Sequence, residues 1–267
     1  MHLSLKESEF QSFSDLIFRY TGIRMTGKKK ELIASRLFKR IVTHNCHSYG
    51  EYFDILKRDE TGEEKKVFIN LITTHVTHFF REQDHFQFID KLLAKEETPP
   101  SKIWSAASST GEEAYSAALV LHDRLGPGKW SVLGTDISTE SIENAKEGFF
   151  PIEGSERIPE YYTKRYCLKG KQEYEGSFTF EKEIRFGVHF ETMNLMHFSD
   201  LPGRFRPNIV FLRNVLIYFE QKEKQKIIDK IESMLPHGSI LIIGHSESLN
   251  GIHHNFKLLQ TSIYKKL

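Results

Sequence analysis

Apolar residues at three- and four-residue steps open the chain. Phe10, Phe13, Leu16, Ile17 and Tyr20 share one helical face, Leu32, Ile33, Leu37 and Ile41 share another, and Thr21-Gly22 breaks the first of these. The spacing predicts helices through residues 8–95. From residue 102 the pattern changes to short apolar runs at 102–107 and 130–135 that alternate with helical stretches at 112–125 and 139–147. That alternation is the mark of βαβ units on a parallel sheet. It resumes with strands at 208–212 and 240–243, a helix near 221–235 and a last strand near 256–264. Between the two halves, 150–190 carries Pro151, Pro159, Gly170, Gly176 and the run Ser177-Phe-Thr-Phe180, which predicts a small antiparallel insertion. The join between helical front and α/β remainder is expected at 74–82.

Composition narrows the class. At 267 residues, 39% hydrophobic and 27% charged, the chain reads as a soluble protein of two domains; disorder and collagen are excluded. Lys+Arg number 37 against 36 Asp+Glu, so bulk charge points to neither a nucleic-acid coat nor an acidic tail. The balance is uneven, because residues 1–58 hold eleven basic and six acidic residues, a net +5 that sits mostly on the helix from Lys28 to Arg40. The longest apolar runs, such as Ser239-Ile-Leu-Ile-Ile-Gly244, fall far short of the ~18 residues of a membrane span, and the first residues lack a signal peptide's apolar core. A cytoplasmic protein with no direct membrane insertion is expected. Cys46 and Cys167 have no metal-type spacing and read as reduced thiols.

The first βα turn, Ser105-Ala-Ala-Ser-Ser-Thr-Gly111-Glu-Glu113, brings a strand end to a helix N-terminus, the usual ligand mouth of an open α/β sheet. With one glycine and two glutamates it suits a pyrophosphate poorly and a cationic or zwitterionic group better. Asp136 ends the second strand, where a carboxylate can accept from two ribose hydroxyls. Together they suggest a nucleoside without a diphosphate, S-adenosylmethionine; an acidic helix cap and a turn aspartate are the plain alternative.

Six separated blocks carry a resemblance: Thr73-Thr-His-Val-Thr-His-Phe-Phe-Arg81, Ile103-Trp-Ser-Ala-Ala-Ser-Ser-Thr-Gly-Glu-Glu-Ala-Tyr-Ser116, Asp136, Met193-Asn-Leu195, Leu212-Arg-Asn-Val-Leu-Ile-Tyr-Phe219 and Gly244-His-Ser-Glu-Ser-Leu249. Along nearly its whole length the sequence resembles the CheR-type chemotaxis receptor methyltransferases. The resemblance implies an all-helical N-terminal domain at 1–75 and a Rossmann-like S-adenosylmethionine-dependent methyltransferase domain at 76–267 with a small antiparallel β insertion. It implies methyl transfer from S-adenosylmethionine to glutamate side chains of chemoreceptors. Glu112 would receive the cofactor's ammonium and Asp136 its ribose, with Asn194, Leu195, Arg213 and Asn214 flanking the adenine and methionine portions. His75, Thr77 and Arg81 would close over the cofactor from the interdomain segment. Arg81 and Tyr218 would stand at the reacting centre, Arg81 as an aligner of the incoming carboxylate. Lys29, Arg36, Lys39 and Arg40 would dock the acidic helical bundle of a receptor's cytoplasmic domain, and the insertion is a candidate dock for a receptor C-terminal peptide. The chain departs from the family pattern at His75, usually Asn, at Ser108, usually Cys, and at His237-Gly238, usually Gly-Gly.

Other chemistry is weaker. His75, His78 and His85 are closely spaced, but no Cys or carboxylate completes a recognisable metal site in the sequence. His245-Ser246-Glu247 lacks the Gly-x-Ser-x-Gly of a hydrolase. A cofactor-binding signalling module without catalysis, or a methyltransferase acting on another protein, RNA or a small molecule, are the alternatives; no basic surface interleaved with aromatics supports nucleic acid.

Overall fold

The computed structural model describes residues 3–96, 99 and 101–267. Four helices come first: α1 (Glu7–Thr21), α2 (Lys30–Thr43), α3 (Tyr49–Arg58) and α4 (Glu63–Ile72). Their apolar stripes meet in one core built on Phe13, Ile17, Leu37, Tyr52 and Phe68. The α1 stripe stops at Gly22, whose φ of 74° closes the helix in the left-handed region. Glu64 secures α4 to its neighbours, accepting from Arg40 at 2.8 and 2.5 Å and from the Tyr52 hydroxyl at 2.7 Å. Then α5 (Gln83–Lys95) leads to the sheet.

The elements that follow are β1 (Lys102–Ala106), α6 (Glu112–Leu125), β2 (Ser131–Asp136), α7 (Thr139–Glu147), β3 (Phe150–Pro151), α8 (Glu160–Tyr166), β4 (Cys167–Lys169), β5 (Ser177–Phe180), α9 (Lys182–Gly187) and β6 (Val188–Thr192). The chain finishes with β7 (Ile209–Leu212), α10 (Gln221–Met234), β8 (Ile240–Ile243), β9 (Phe256–Gln260) and β10 (Ile263–Lys266). Seven strands form one sheet in the order β6-β2-β1-β7-β8-β10-β9. Its first five strands pair in parallel, and β10 runs antiparallel to both its neighbours. Successive residues of a strand point to opposite faces, so Ile103, Ile209, Phe211 and Ile242 enter the layer beneath α5 and α6, while Trp104, Val210, Leu212 and Ile243 enter the layer beneath α10. Burial on both faces explains why these strands read as unbroken apolar runs.

The antiparallel insertion is a three-stranded sheet, β3-β5-β4, packed around Phe79, Phe150, Phe178 and Phe180. It is smaller than the pattern predicts. The segment from Val188 is β6, the edge strand of the main sheet, because its buried Val188 and Phe190 pack on the main core beside β2. The single strand expected at 256–264 is a hairpin, turned at Ser262 with φ 63°. No helix among the described residues is long and apolar enough to cross a membrane.

Candidate functional site

The strand order reverses between β1 and β7, which leaves a crevice at the carboxyl ends of β1, β2 and β7. The crevice has two lobes that share Thr74, Ala107, Asp136, Val215 and Tyr218. The first holds about 760 Å³ of space, part of it open to solvent, and is lined by Ile137, Met193, Asn194 and Leu195 from the sheet side, and by Ile23, Lys29, Leu32 and Arg36 from the helical front. The second, about 700 Å³, is lined by polar groups including Thr77, Arg81, Ser108, Ser109, Arg213 and Asn214. An apolar recess and a polar one joined at a carboxylate match the two halves of a zwitterionic nucleoside.

Asp136 sits at the seam. The β1–α6 turn takes Ala107, Ser109 and Gly111 to positive φ, which aims the Ser109 N–H at Asp136 Oδ2 (2.9 Å); the Ser138 N–H donates to Oδ1 (2.9 Å). Burial pushes this carboxyl above the ordinary aspartate range, against the two N–H groups that favour the anion. Each oxygen keeps a lone pair for a further donor. Nearby, the buried Ser108 hydroxyl lines the second lobe and has no hydrogen-bond partner among the described residues. A buried polar atom in that state is one a bound polar ligand would satisfy.

Residues 73–82 run between helical front and sheet, held along their length. Arg36 donates to the Ile72 and Thr73 carbonyls at 2.7 and 3.0 Å; the His75 ring contacts Asn70 O, Thr73 Oγ1 and, on the other side, Ser141 Oγ of α7 at 3.0 Å. The Ser109 hydroxyl donates to the His75 carbonyl at 3.1 Å. Thr77 and Arg81 follow at the rim of the second lobe, where Arg81 Nη1 donates to Val76 O at 3.1 Å.

The floor beyond β7 is an ionic lattice. The fully buried Arg213 guanidinium bonds Glu113 at 2.8 Å, Glu82 at 3.2 Å and the Arg81 carbonyl. Burial pushes Glu113 up while Arg213 and the Ser105 hydroxyl pull it down. Burial also raises Glu82, yet Arg213, the Asn214 amide and the His245 N–H together hold it below the usual carboxylate range. Asn214, at φ 56°, has its N–H fixed by Glu247 at 2.8 Å and its amide by Glu82 at 3.3 Å. His85 lies against this lattice fully buried, and burial beside Arg213 lowers its pKa to about 4, so the ring is neutral at pH 7.

The residues singled out from sequence divide accordingly. Asp136, Asn194, Leu195, His75 and Tyr218 line the first lobe, and Thr77, Arg81, Arg213 and Asn214 the second. Asn194 also spends its amide nitrogen on the Tyr20 carbonyl (2.5 Å), joining the helical front to the sheet. Glu112 lines neither lobe; it accepts from the Thr110 hydroxyl at 2.7 Å, and burial raises its carboxyl. The basic helix departs from expectation. Arg36 is bound to the end of α4 and Arg40 to Glu64, while the Lys29 ammonium lies 5.6 Å from the Tyr218 ring centre at the first lobe; of the four cations, Lys39 is the exposed one. Pairing within the fold engages the Arg36 and Arg40 guanidinium groups internally. Glu82 went unnoticed in the sequence, since nothing local distinguishes a glutamate that organises a loop 130 residues away; Ser108 stood out only as a departure from the family pattern and Glu247 only within a hydrolase-like run.

Residues 75–265 match the family model described as CheR methyltransferase, SAM binding domain, and residues 8–73 match CheR methyltransferase, all-alpha domain. The chain belongs to the CheR methyltransferase family. It is 34% identical over 265 residues to the chemotaxis protein methyltransferase of Escherichia coli K12, covering 98% of this chain and 92% of that one. Chemotaxis protein methyltransferase 2 of Pseudomonas aeruginosa is 33% identical over 262 residues (96% and 92% covered), and the chemotaxis protein methyltransferase of Borreliella burgdorferi 31% over 279 (100% and 96%). This CheR family member is thus an S-adenosylmethionine-dependent methyltransferase.

Proposed function

We propose that this protein esterifies glutamate side chains on the cytoplasmic helical domain of chemoreceptors, and that it does so in the cytoplasm. The observation that carries the reading is the crevice itself, with Asp136 at the seam of an apolar and a polar lobe and Arg81 and Tyr218 at its rim. In this reading the adenosine lies in the first lobe against Ile137, Met193 and Leu195, Asp136 accepts from the ribose, and Asn214 and the Ser108 hydroxyl meet the methionine end. S-adenosylmethionine supplies a methyl group on a sulfonium, which passes to a carboxylate oxygen to leave an ester and S-adenosylhomocysteine.

The chain's own residues have a spare task. A glutamate side chain with a pKa near ~4.3 is already an anion at neutral pH, so it needs no general base. Alignment of carboxylate and donor can supply ~7–11 kcal/mol. Arg81, with one guanidinium nitrogen anchored on Val76 O, has further donors to orient the incoming carboxylate. Too tight a hold on the ground-state anion would slow transfer, so Arg81 aligns rather than traps. Tyr218 borders both lobes and so stands where they meet. Lys29 and Lys39 supply positive potential toward an acidic receptor bundle, and the small β sheet offers an edge for a receptor C-terminal peptide.

The test is incubation of the protein with radiolabelled S-adenosylmethionine and receptor cytoplasmic fragments, then mild alkali. Carboxyl methyl esters release volatile methanol; N-methyl groups do not. Label that resists alkali would refute glutamate esterification, and absence of label with cofactor bound would favour a signalling module.

A further inference from the structure

We propose that Glu82, His85 and His245 form a binding site for a divalent transition metal of the zinc class, clipping the start of α5 to the loop after β8. Their ligand atoms all lie within 4.8 Å of one another, and His85 Nδ1 stands 3.5 Å from Glu82 Oε2. A tetrahedral ion with bonds of about 2.1 Å sets its ligand atoms about 3.4 Å apart, so small side-chain shifts complete the geometry. His85 supplies the independent observation: it is 0% exposed, and neither ring nitrogen has a hydrogen-bond partner among the described residues. Both nitrogens of a neutral imidazole left unpaired in a core are costly, and an ion on one of them removes half that cost.

The surroundings fit. Asp84 Oδ2 lies 3.0 Å from His245 Nε2, and with the ion on Nδ1 this contact would be the carboxylate–histidine–metal arrangement that orients ligating imidazoles. His245 is 42% exposed at its side chain and gives the ion a way in from solvent. With Glu113 paired to Arg213, Glu82 and Asp84 contribute two negative charges that a divalent cation neutralises. Arg213 also bonds Glu82 at 3.2 Å, so the ion shares that carboxylate with a guanidinium and is held less tightly than in a site without a neighbouring cation.

The decisive experiment titrates the purified chain with ZnCl2 against a chromophoric chelator and records Co2+ absorption as a geometry reporter. One ion per chain, an intense tetrahedral Co2+ spectrum and a raised melting temperature are expected. Because the chain has thirteen histidines, the control is His245→Gln on the accessible loop, which must cut affinity at least tenfold with the far-UV spectrum unchanged. Asp84→Asn should weaken binding about tenfold by loosening His245. Wild-type protein that takes up no Zn2+, a Co2+ spectrum of weak octahedral bands, or affinity untouched by His245→Gln would each overturn the site.

Discussion

Asp136 is held by two backbone N–H groups, yet burial raises its pKa, and both facts bear on cofactor binding. The anion accepts strongly from two hydroxyls, whereas the neutral acid accepts more weakly and turns one oxygen into a donor, so affinity for S-adenosylhomocysteine should be full above the Asp136 pKa and decline as pH falls through it. Because the pKa is raised, the decline should begin at a higher pH than an ordinary aspartate would give. Calorimetry across pH checks this, and Asp136→Asn should flatten the profile. Asp136→Ala should weaken binding by roughly 1–3 kcal/mol, the scale of lost charge-assisted hydrogen bonds. Arg81→Ala and Tyr218→Phe belong to a different class. They should lower turnover more than cofactor affinity, since both are assigned to the reacting centre; equal losses by calorimetry and turnover would make them cofactor ligands only.

Among the elements, β2 is tightly packed where it approaches the crevice. A Cβ at Gly134 would come within 2.5 Å of the Phe190 ring on β6 and 3.0 Å of the Ser108 hydroxyl. Gly134→Ala should therefore cost roughly 1–3 kcal/mol of stability by overpacking, read as a lower denaturation midpoint. A truncation of Phe190 made alongside it should recover part of that loss. The same strand shows why β6 was hidden in the sequence: Val188-His-Phe-Glu-Thr192 alternates like a half-exposed strand and follows the short insertion strands without a break, so pattern alone joins it to them. What assigns it to the main sheet is the parallel pairing Val132↔Val188 through Asp136↔Thr192, a contact across more than fifty residues.

The whole molecule depends on the seam between helical front and sheet. Arg36 holds the end of α4 where residues 73–82 leave it, and Asn194 reaches back to the Tyr20 carbonyl. Gly22 packs so closely on its neighbours that a Cβ would come within 2.4 Å of Met196 and 3.2 Å of Phe219. Because Ile23, Lys29 and Arg36 wall the first lobe, loosening this seam should reach the cofactor. Arg36→Ala is expected to cost about 1.5–3 kcal/mol of stability through hydrogen bonds from a charged group, and to lower S-adenosylhomocysteine affinity as well. Thermal melts with and without ligand measure both; a melt lowered with affinity intact would confine Arg36 to the fold.

Periodicity determined the helical front and the βαβ texture, since burial of one stripe or two faces is written directly in residue order. The βα turn and Asp136 were legible for the same reason: strand end and helix start adjoin in sequence. Charge was read less well. A cation's sequence position does not say whether a carboxylate elsewhere in the fold neutralises it, and Glu64 and the end of α4 claimed Arg40 and Arg36. Likewise Glu82 lies three residues before His85 yet makes no metal site with it alone, and only the packing of α5 beside the loop after β8 brought His245 to the pair. Local pattern fixes which face of an element is apolar. Which polar groups meet across elements depends on long-range packing, and that is where the crevice's second lobe, its ionic floor and the seam at residues 73–82 were decided.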